Sequence, residues 1–529
     1  MTKPDHPPGA AGSFQAPGGF LHNKWLPALL LVLLSFSINL INNDFSHRYH
    51  IDERSKIRAI ESQEYNFFHP IGMLQTVRLA GLIQSTEGSQ ELTELGRTTT
   101  AFYGALLVFF VFLIFRQLLE PGLAFLAALA LAITPTIVIH AHYLKEDMIF
   151  AAFAAGFFLF FMNHLEKPSP KSAIQMGLLL GLALSAQYKG LVLLPLFLAG
   201  PLFIPNQPEG GAPPEGGGVA YFKLAGLAMV VAALVFLGIN YPLFEDFSGF
   251  LRGTGYEFQH ALAGHRDVVI PPGPFYFSFH LSESLLPGIT WGLLGPGLIG
   301  IIWGVWRWRY LTFRERLLLV WIIGFYLTIE ASPLKPFPDF MRYVIPLVPW
   351  LIYFGFRLLV ELERIAKERL QLKISAPLLA GFLLLWPLHD TVNLLAHLNR
   401  DTRAHVQTWL LERGERALFE MYAAEKRDVR SITDVDIQKA RKKGYHYLAA
   451  SSFLYDRYQV GSRLPHQNPS VYTIQKRYEA LFQNYPTITF KPAFRAFAFS
   501  NPTIRLIDIR RKNSVPPPPS RLNGSKESD

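Results

Sequence analysis

Apolar runs long enough to cross a membrane recur through the first three-quarters of this 529-residue chain. No other feature limits its fold as strongly, because a helix of about 20 apolar residues is what spans a bilayer core. Charged residues make up 17% of the sequence, whereas soluble domains usually contain about 25%. The pattern predicts a membrane protein. It excludes a disordered, collagen-like or coiled-coil chain and argues strongly against a water-soluble enzyme.

The predicted fold is an all-α polytopic membrane bundle of about 11 transmembrane helices, with a long outward first loop and a small C-terminal α/β domain. The first apolar run ends in Asn42-Asn43-Asp44 without a small-residue cleavage site. We therefore expect a retained span rather than a signal peptide. The predicted spans are 25–41, 99–118, 122–139, 148–162, 173–186, 191–204, 224–241, 285–306, 317–331, 343–359 and 374–388.

The chain divides into four predicted regions. Residues 1–22 are rich in proline, glycine and alanine, which predicts a disordered cytoplasmic N-terminus. Residues 23–390 form the transmembrane domain, residues 391–512 a small periplasmic α/β domain, and residues 513–529 a disordered tail. Within the α/β domain, periodicity predicts helices at 402–413 and 471–482 and strands at 417–421, 445–450 and 503–509.

The positions of the basic residues predict the orientation in the membrane. They gather in the connections that lie inside when the N-terminus is cytoplasmic, as the positive-inside rule requires. An odd number of spans then places the C-terminal domain outside, together with two long outward loops at 42–97 and 244–283. This orientation explains much of the net charge of +10, so the bilayer is an expected partner and nucleic acid is not.

Two absences narrow the chemistry. The sequence has no cysteine, which rules out disulfides, thiolate metal sites, iron–sulfur clusters and cysteine nucleophiles. It also has no nucleotide-phosphate loop and no strand-bounded Gly-x-Gly-x-x-Gly. If the chain transfers a group, the donor is therefore not expected to be a soluble nucleotide bound in a Rossmann-like domain.

Candidate catalytic residues gather in the outward connections. Asp52 and Glu53 follow the first span, and adjacent carboxylates there suit a general base that accepts a proton from a hydroxyl nucleophile. A solvated charged loop is the alternative interpretation. The second cluster, 140–147, contains His142, Lys145, Glu146 and Asp147 beside an apolar boundary. It fits a substrate site, an interfacial ion pair or, with an incomplete ligand set, a metal.

Single cations stand at the outward ends of other spans. Lys189 closes the span 173–186, and Arg342 precedes Tyr343 at the start of the span 343–359. Lysine and arginine at such points stabilise a phosphate leaving group, or they anchor a helix by snorkelling. His260, His265 and Arg266 lie in the second long outward loop. That loop is expected either to cover an acceptor or to serve as a proline-stiffened connector.

These segments together resemble a known family. Asp52-Glu53 after the first span and His69-Pro70 downstream are similar to the polytopic glycosyltransferases of clan C. The similarity is greatest to the protein O-mannosyltransferase group (glycosyltransferase family 39-like), whose bacterial relatives include the lipid A aminoarabinose transferases. Supporting segments are 97–104, 142–147, 186–190 and 342–346, and the resemblance covers residues 25–390.

The resemblance implies an inverting, mannosyltransferase-like transfer of a sugar from a polyprenyl-phosphate donor to an acceptor hydroxyl, without a metal or cofactor. It implies that Asp52 is the base, with Glu53 beside it, and that Asp147 is a second catalytic carboxylate that holds acceptor or sugar. Lys189 and Arg342 fall where basic residues meet the lipid phosphate. The expected substrate-binding residues are His69, His142, Lys145, Glu146, Lys189, His265, Arg342 and Tyr343.

The acceptor stays open at this stage. The chain has no lectin-like insert of the eukaryotic mannosyltransferases, so a protein, a lipid or a surface glycan are all candidates. The lack of long insertions fits a bacterial inner-membrane enzyme whose active site faces the periplasm. A transporter or flippase is the alternative, but it requires ionisable residues in the middle of spans, and here they gather at the outward ends. A scaffold whose tail binds a partner is a third possibility.

Overall fold

The computed structural model describes residues 23–86, 88–203, 217–264, 276–335, 341–461, 469–493 and 500–512. The predicted disordered ends, 1–22 and 513–529, and the predicted substrate contact His265 lie outside these residues. In the described part up to residue 400, the chain is helical. Its α-helices are Trp25–Leu40, Glu53–Ser62, Gly72–Gln84, Ser89–Phe115, Pro121–Ala132, Pro135–Ala141, Asp147–Glu166, Pro170–Ala186, Leu193–Leu198, Gly217–Ile239, Phe247–Ala263, Leu286–Ile289, Trp291–Trp306, Phe313–Ala331, Val348–Arg369, Ala376–Leu383 and Leu385–His397.

Several of the predicted spans are single long helices, and others are broken. Among the described residues, five helices are long and apolar enough to cross a membrane, or six if the bent pair Pro121–Ala132 and Pro135–Ala141 is one span. The two helices of this pair meet at 56°, because Pro135 lacks the N–H that would continue the ladder. Three shorter apolar helices are also present. The figure of about eleven spans stays a prediction.

The helix Asp147–Glu166 lies at the centre of the bundle, with 89% of its most apolar window buried, against 17% for Tyr221–Ile239 at the edge. Glycines let neighbouring helices approach closely around this centre. A Cβ on Gly300 would lie 2.1 Å from the carbonyl oxygen of Phe354, and one on Gly177 would lie 2.4 Å from that of Ala228. Small residues at such contacts are typical of helix packing in membranes. Lipid tails are as apolar as the side chains, so the hydrophobic effect does not drive the helices together, and close packing stabilises the contact instead.

The first outward loop is more ordered than the sequence suggests. It contains the helices Glu53–Ser62 and Gly72–Gln84. The next helix begins at Ser89, well before residue 99, where the predicted span begins. Thr93 and Arg97 lie in this polar first part of the helix and are buried against the loop. The apolar run therefore covers only the later part of a longer helix.

The C-terminal region carries a four-stranded sheet built from Ala417–Phe419, Tyr447–Ser451, Thr487–Phe490 and Ile504–Asp508. The first two strands are parallel, and the last pairs antiparallel with both the second and the third. Both faces of the second strand are buried, so its apolar run does not alternate. The predicted strands are present, and Thr487–Phe490 was missed because its residues are half-exposed. The α-helices of this region are Thr402–Glu412, Ile437–Lys442, Ser452–Gly461 and Pro469–Asn484.

The C-terminal region contacts the first loop directly. His47 Nε2 lies 3.2 Å from Gln407 Oε1, and Arg48 forms an ion pair with Glu425. The backbone N–H of Arg48 also donates to Glu425, at 3.1 Å. These contacts stand a few residues before Asp52, so the sheet region helps to position the first loop. The helix Leu385–His397 runs across residue 390, where the sequence predicts the domain boundary.

Candidate active site

A buried ion pair organises the first loop. The Arg97 guanidinium donates to both carboxylate oxygens of Glu53, from Nε and Nη2, at 3.1 Å each. Its remaining hydrogen bonds go to the carbonyl oxygens of Asn43, Phe45 and His47, at 2.7 to 3.1 Å. Both charged side chains are fully buried. Since the guanidinium has five donors, every one of them is used to hold the loop.

Glu53 also connects the first loop to the second charged cluster of the sequence, 140–147. Its carboxylate accepts the backbone N–H groups of Tyr49 and Leu144, each at 3.0 Å. Tyr49 belongs to the first loop, and Leu144 to the segment before the helix Asp147–Glu166. Glu53 therefore brings these segments together and fixes the start of the helix Glu53–Ser62, where Asp52 is the N-cap residue.

Asp52 lies against Lys145. The lysine Nζ contacts Asp52 Oδ2, and His50 Nδ1 lies 3.7 Å from the same oxygen. The Lys145 side chain is buried, whereas that of Asp52 is 41% exposed. Burial favours the neutral acid, but Lys145, followed by His50 and Lys56, holds the pKa of Asp52 well below its usual range. Asp52 is thus an accessible carboxylate that stays ionised.

A second pair crosses between the same segments. Lys56 Nζ contacts Glu146 Oε1, and both side chains are buried. The other oxygen, Oε2, is buried with no hydrogen-bond partner among the described residues. Burial opposes its ionisation, but the charges of Lys56 and Lys145 lower the pKa of Glu146 below its usual range. Burial, reinforced by Lys145 and Lys56, lowers the pKa of His69 to about 3, so that its imidazole is neutral.

These groups line one cavity of about 270 Å³. Asp52, Lys56, His69 and Glu146 face it from the first loop and from the segment before the helix Asp147–Glu166. The opposite wall comes from the helix Phe247–Ala263, through Tyr256, Glu257 and His260. The cavity is therefore lined by an ionised carboxylate, a buried ion pair, a neutral imidazole and aromatic rings.

A cationic site lies beside these residues. Lys189 Nζ lies 3.6 Å from Asp147 Oδ1, and Gln187 donates to the same oxygen at 2.8 Å. Lys189 Nζ also stands 3.9 Å above the ring centroid of Tyr343, and the Arg342 guanidinium lies 5.2 Å from that centroid. Cations over an aromatic face are stabilised by the ring quadrupole. Asp147 Oδ2 is buried without a hydrogen-bond partner among the described residues.

The structure brings most of the predicted site residues together, with one exception among those it describes. His142 is buried, and its ring nitrogens lie 2.6 Å and 3.1 Å from the carbonyl oxygens of Val138 and Ile41. These contacts hold the ring inside the bundle. Sequence reasoning missed Tyr256 and Glu257 as members of the cavity. Their spacing from Gly253 and His260 is the signal, because positions i, i+3, i+4 and i+7 share one helix face.

No group of three or more histidine, cysteine and carboxylate side chains in the described ranges is arranged to hold a metal ion. The ionic groups of the site instead pair with one another, as Asp52 does with Lys145 and Glu146 with Lys56. The arrangement can take a proton at Asp52 and can neutralise an anion at Lys189 and Arg342.

Comparison with known proteins finds a family match for one segment and a shared fold for most of the chain. Residues 92–209 match the family model described as dolichyl-phosphate-mannose-protein mannosyltransferase. No curated protein matches the chain. The apo Archaeoglobus fulgidus oligosaccharyltransferase is similar, with a TM-score of 0.53, 12% identity and coverage of 90% of this chain and 74% of that one. Apo ArnT of Cupriavidus metallidurans has a TM-score of 0.51, 15% identity and coverage of 91% and 97%.

At these identities the solved structures establish the fold, and the family model matches the segment that carries Arg97, Lys145 and Lys189. The predicted resemblance to the clan C glycosyltransferases is confirmed for the fold, which the chain shares with the oligosaccharyltransferase and ArnT, and for residues 92–209, which are similar to the protein mannosyltransferase family. The long apolar helices of the described residues agree with an integral membrane protein.

Proposed function

We propose that this protein is an inverting glycosyltransferase that moves a sugar from a polyprenyl-phosphate donor to an acceptor hydroxyl on the outer face of the membrane. The observation that carries the proposal is the ionised, accessible Asp52 held by Lys145 in a polar cavity, with the cations Lys189 and Arg342 close by. The Archaeoglobus fulgidus oligosaccharyltransferase, of the same fold, has been solved in complex with a dolichol-phosphate, which supports the donor class.

In the proposed reaction, the acceptor oxygen attacks the anomeric carbon from the face opposite the phosphate. The new carbon–oxygen bond forms as the bond to the phosphate oxygen breaks, and that oxygen keeps the electron pair and leaves as polyprenyl phosphate. Asp52 takes the hydroxyl proton through Oδ1, since Oδ2 is held by Lys145. Lys189 and Arg342 stabilise the charge that grows on the phosphate.

The other predicted residues take supporting roles in this proposal. Glu53 and Arg97 position Asp52, because they are buried and saturated with hydrogen bonds. Glu146 and Asp147 each direct one unpaired carboxylate oxygen at substrate hydroxyls, and His69 contacts substrate as a neutral imidazole. His142 holds the fold, so we no longer place it among the substrate-binding residues.

We place the protein in a bacterial inner membrane, with a cytoplasmic N-terminus and with the cavity and the C-terminal region in the periplasm. Epitope tags beside residue 52 test this placement. Labelling from the periplasmic side agrees with it, and labelling only from the cytosol contradicts both the placement and the donor geometry.

The activity is tested with purified protein in nanodiscs and a panel of polyprenyl-phosphate sugars. We expect release of polyprenyl phosphate together with a glycosylated product of inverted anomeric configuration. A deletion strain analysed by mass spectrometry of lipid A, glycoproteins and surface polymers identifies sugar and acceptor. Transfer from a soluble sugar nucleotide without any lipid donor would contradict the proposal.

Replacing Lys189 with glutamine is expected to raise KM for the lipid-linked donor by about 10-fold or more, since a hydrogen bond to a charged group contributes about 1.5–3 kcal/mol. The side chain is 31% exposed and pairs with Asp147, so folding should tolerate the change. Lys167→Gln, at an exposed position, is the matched control. An unchanged donor KM in Lys189→Gln would remove this lysine from the phosphate site.

The pH profile reports on the Asp52–Lys145 pair. Because the pKa of Asp52 is lowered, this carboxylate stays ionised as the pH falls. Protonation of Asp52 should therefore cause no decrease in kcat/KM between about pH 7 and 5. In Lys145→Met, the stabilising cation is gone while burial remains, so the pKa rises. The acid limb should then move to higher pH by about 1 to 3 units. Lys171→Met is the control, and superimposable profiles for Lys145→Met and the unmodified protein would contradict the pairing.

A further inference from the structure

The helix Phe247–Ala263 docks on the first loop through a glycine. A Cβ on Gly253 would lie 2.2 Å from the carbonyl oxygen of Asn66 and 2.8 Å from the carbonyl carbon of Phe67, so no other residue fits without displacing backbone. Phe250 adds an edge-to-face contact with Phe67, with ring centroids 5.8 Å apart. The loop presents its backbone here because Phe67 has a φ of +53°. The helix is thus seated on the loop rather than loosely connected to it.

This seating brings three residues over the cavity that contains Asp52. Tyr256, Glu257 and His260 follow Gly253 at helical positions i+3, i+4 and i+7, on one face of the helix, and all three line the cavity. The rings of Phe68 and Tyr256 lie 4.7 Å apart, and those of Tyr256 and His260 lie 5.9 Å apart with an interplanar angle of 12°. The result is a row of three adjacent rings beside a carboxylate, in which Phe68 is tilted by 30° against Tyr256.

The cavity lies on the acceptor side of the proposed reaction. Its lining includes Asp52 but neither Lys189 nor Arg342, which we propose to hold the donor phosphate. An inverting displacement brings the acceptor from the face opposite that phosphate. A group that lies in the cavity is therefore placed to present its hydroxyl to Asp52.

The chemistry of the cavity wall matches a carbohydrate. Phe68 and Tyr256 are 37% and 52% exposed, and aromatic rings pack against the apolar faces of sugars as they do against other flat groups. The Glu257 carboxylate can accept hydrogen bonds from neighbouring hydroxyls. A cavity of about 270 Å³ lies just below the usual range of ligand pockets, which suits a single ring better than an extended peptide.

We infer that Phe68, Tyr256 and Glu257 form a sugar-binding subsite, so that the acceptor presents its hydroxyl from a carbohydrate unit. This inference rests on the proposed function. It identifies the acceptor, which the sequence left undetermined, as a carbohydrate. Tyr256 packs against one sugar ring, Glu257 binds its hydroxyls, and Asp52 takes a proton from the hydroxyl that reacts.

The test is saturation-transfer NMR of the full-length protein in nanodiscs, with methyl glycosides of mannose, glucose and galactose as probes. We expect saturation of at least one glycoside, reduced at least tenfold in Tyr256→Ala and Glu257→Gln and less in Tyr256→Phe. Phe258→Ala, on the same helix and 68% exposed, is the matched control and should bind as the unmodified protein does. Thermal stability of each variant is measured in the same nanodiscs.

Two results would overturn the subsite: no saturation of any glycoside, or saturation that Tyr256→Ala and Glu257→Gln leave unchanged. Tyr256-dependent saturation of a serine- or threonine-containing peptide in place of the sugars would assign the cavity to a peptide and also overturn it. Cleavage of the lipid-linked donor is measured separately. A chain that binds the glycosides through Tyr256 but cleaves no such donor would contradict the proposed function and leave the subsite in place.

Discussion

Asp52→Asn should lower the rate of sugar transfer by about 10²- to 10⁴-fold, the range that a general base contributes. Asparagine keeps the size of the side chain but cannot accept the hydroxyl proton. Asp52 is 41% exposed, so the variant should still fold and insert. Turnover of a polyprenyl-phosphate sugar, measured with donor and acceptor both saturating, should show the loss in kcat rather than in donor KM.

Glu61→Gln is the matched control for this experiment, because it removes an exposed carboxylate from the same helix, Glu53–Ser62. It should keep normal turnover. Near-normal transfer in Asp52→Asn would exclude Asp52 as the base. Glu146 would then be the next candidate, since it lines the same cavity and has an unpaired oxygen among the described contacts.

Arg97→Lys should destabilise the protein and suppress transfer together. Lysine keeps the positive charge but has three donors where the guanidinium has five, and each buried acceptor left without its donor costs about 1–3 kcal/mol. The lost hydrogen bonds are those to Glu53 and to the carbonyl groups of the first loop. Thermal unfolding in nanodiscs should therefore begin at a lower temperature, and the residual transfer activity should be small.

Arg54→Lys, at an exposed position next to Glu53, controls for the loss of a guanidinium in this region and should change neither quantity. Glu53→Gln should resemble Arg97→Lys, and the double variant should be far less destabilised than the sum of the two, because the residues act as one unit. Additive effects, or an unchanged unfolding temperature in Arg97→Lys, would contradict the positioning role.

Much of the candidate site could be predicted because its residues stand in short segments at the ends of apolar runs. Asp52, Lys145 and Lys189 are each found this way, since an ionisable group beside a membrane boundary is costly unless it pairs or binds. Their mutual contacts could not be predicted in the same way. Asp52 and Lys145 meet across 93 positions of sequence, and no local pattern specifies which cation a carboxylate will reach.

The second long outward loop also shows what the sequence could predict and what it could not. The sequence left two interpretations of this loop open, a cover for an acceptor or a proline-stiffened connector, and only the seating of Gly253 on Asn66 places Tyr256 and Glu257 at the cavity. Arg97 offers a further example. It lies at the edge of an apolar run, which suggested the start of a span, but its helix begins at Ser89 and the arginine is buried inside the protein.

The sequence by itself determined that this chain has helices apolar enough to span a membrane, and it predicted that the candidate site residues lie at one face of that membrane. Both follow from hydropathy, which is a property of neighbouring residues and of their free energy of transfer into lipid. Only the tertiary structure determined which charged side chains pair with each other and which helix completes the wall of the cavity. Those outcomes depend on distances between segments far apart in the chain, where burial makes each unpaired charge costly and so selects a single arrangement.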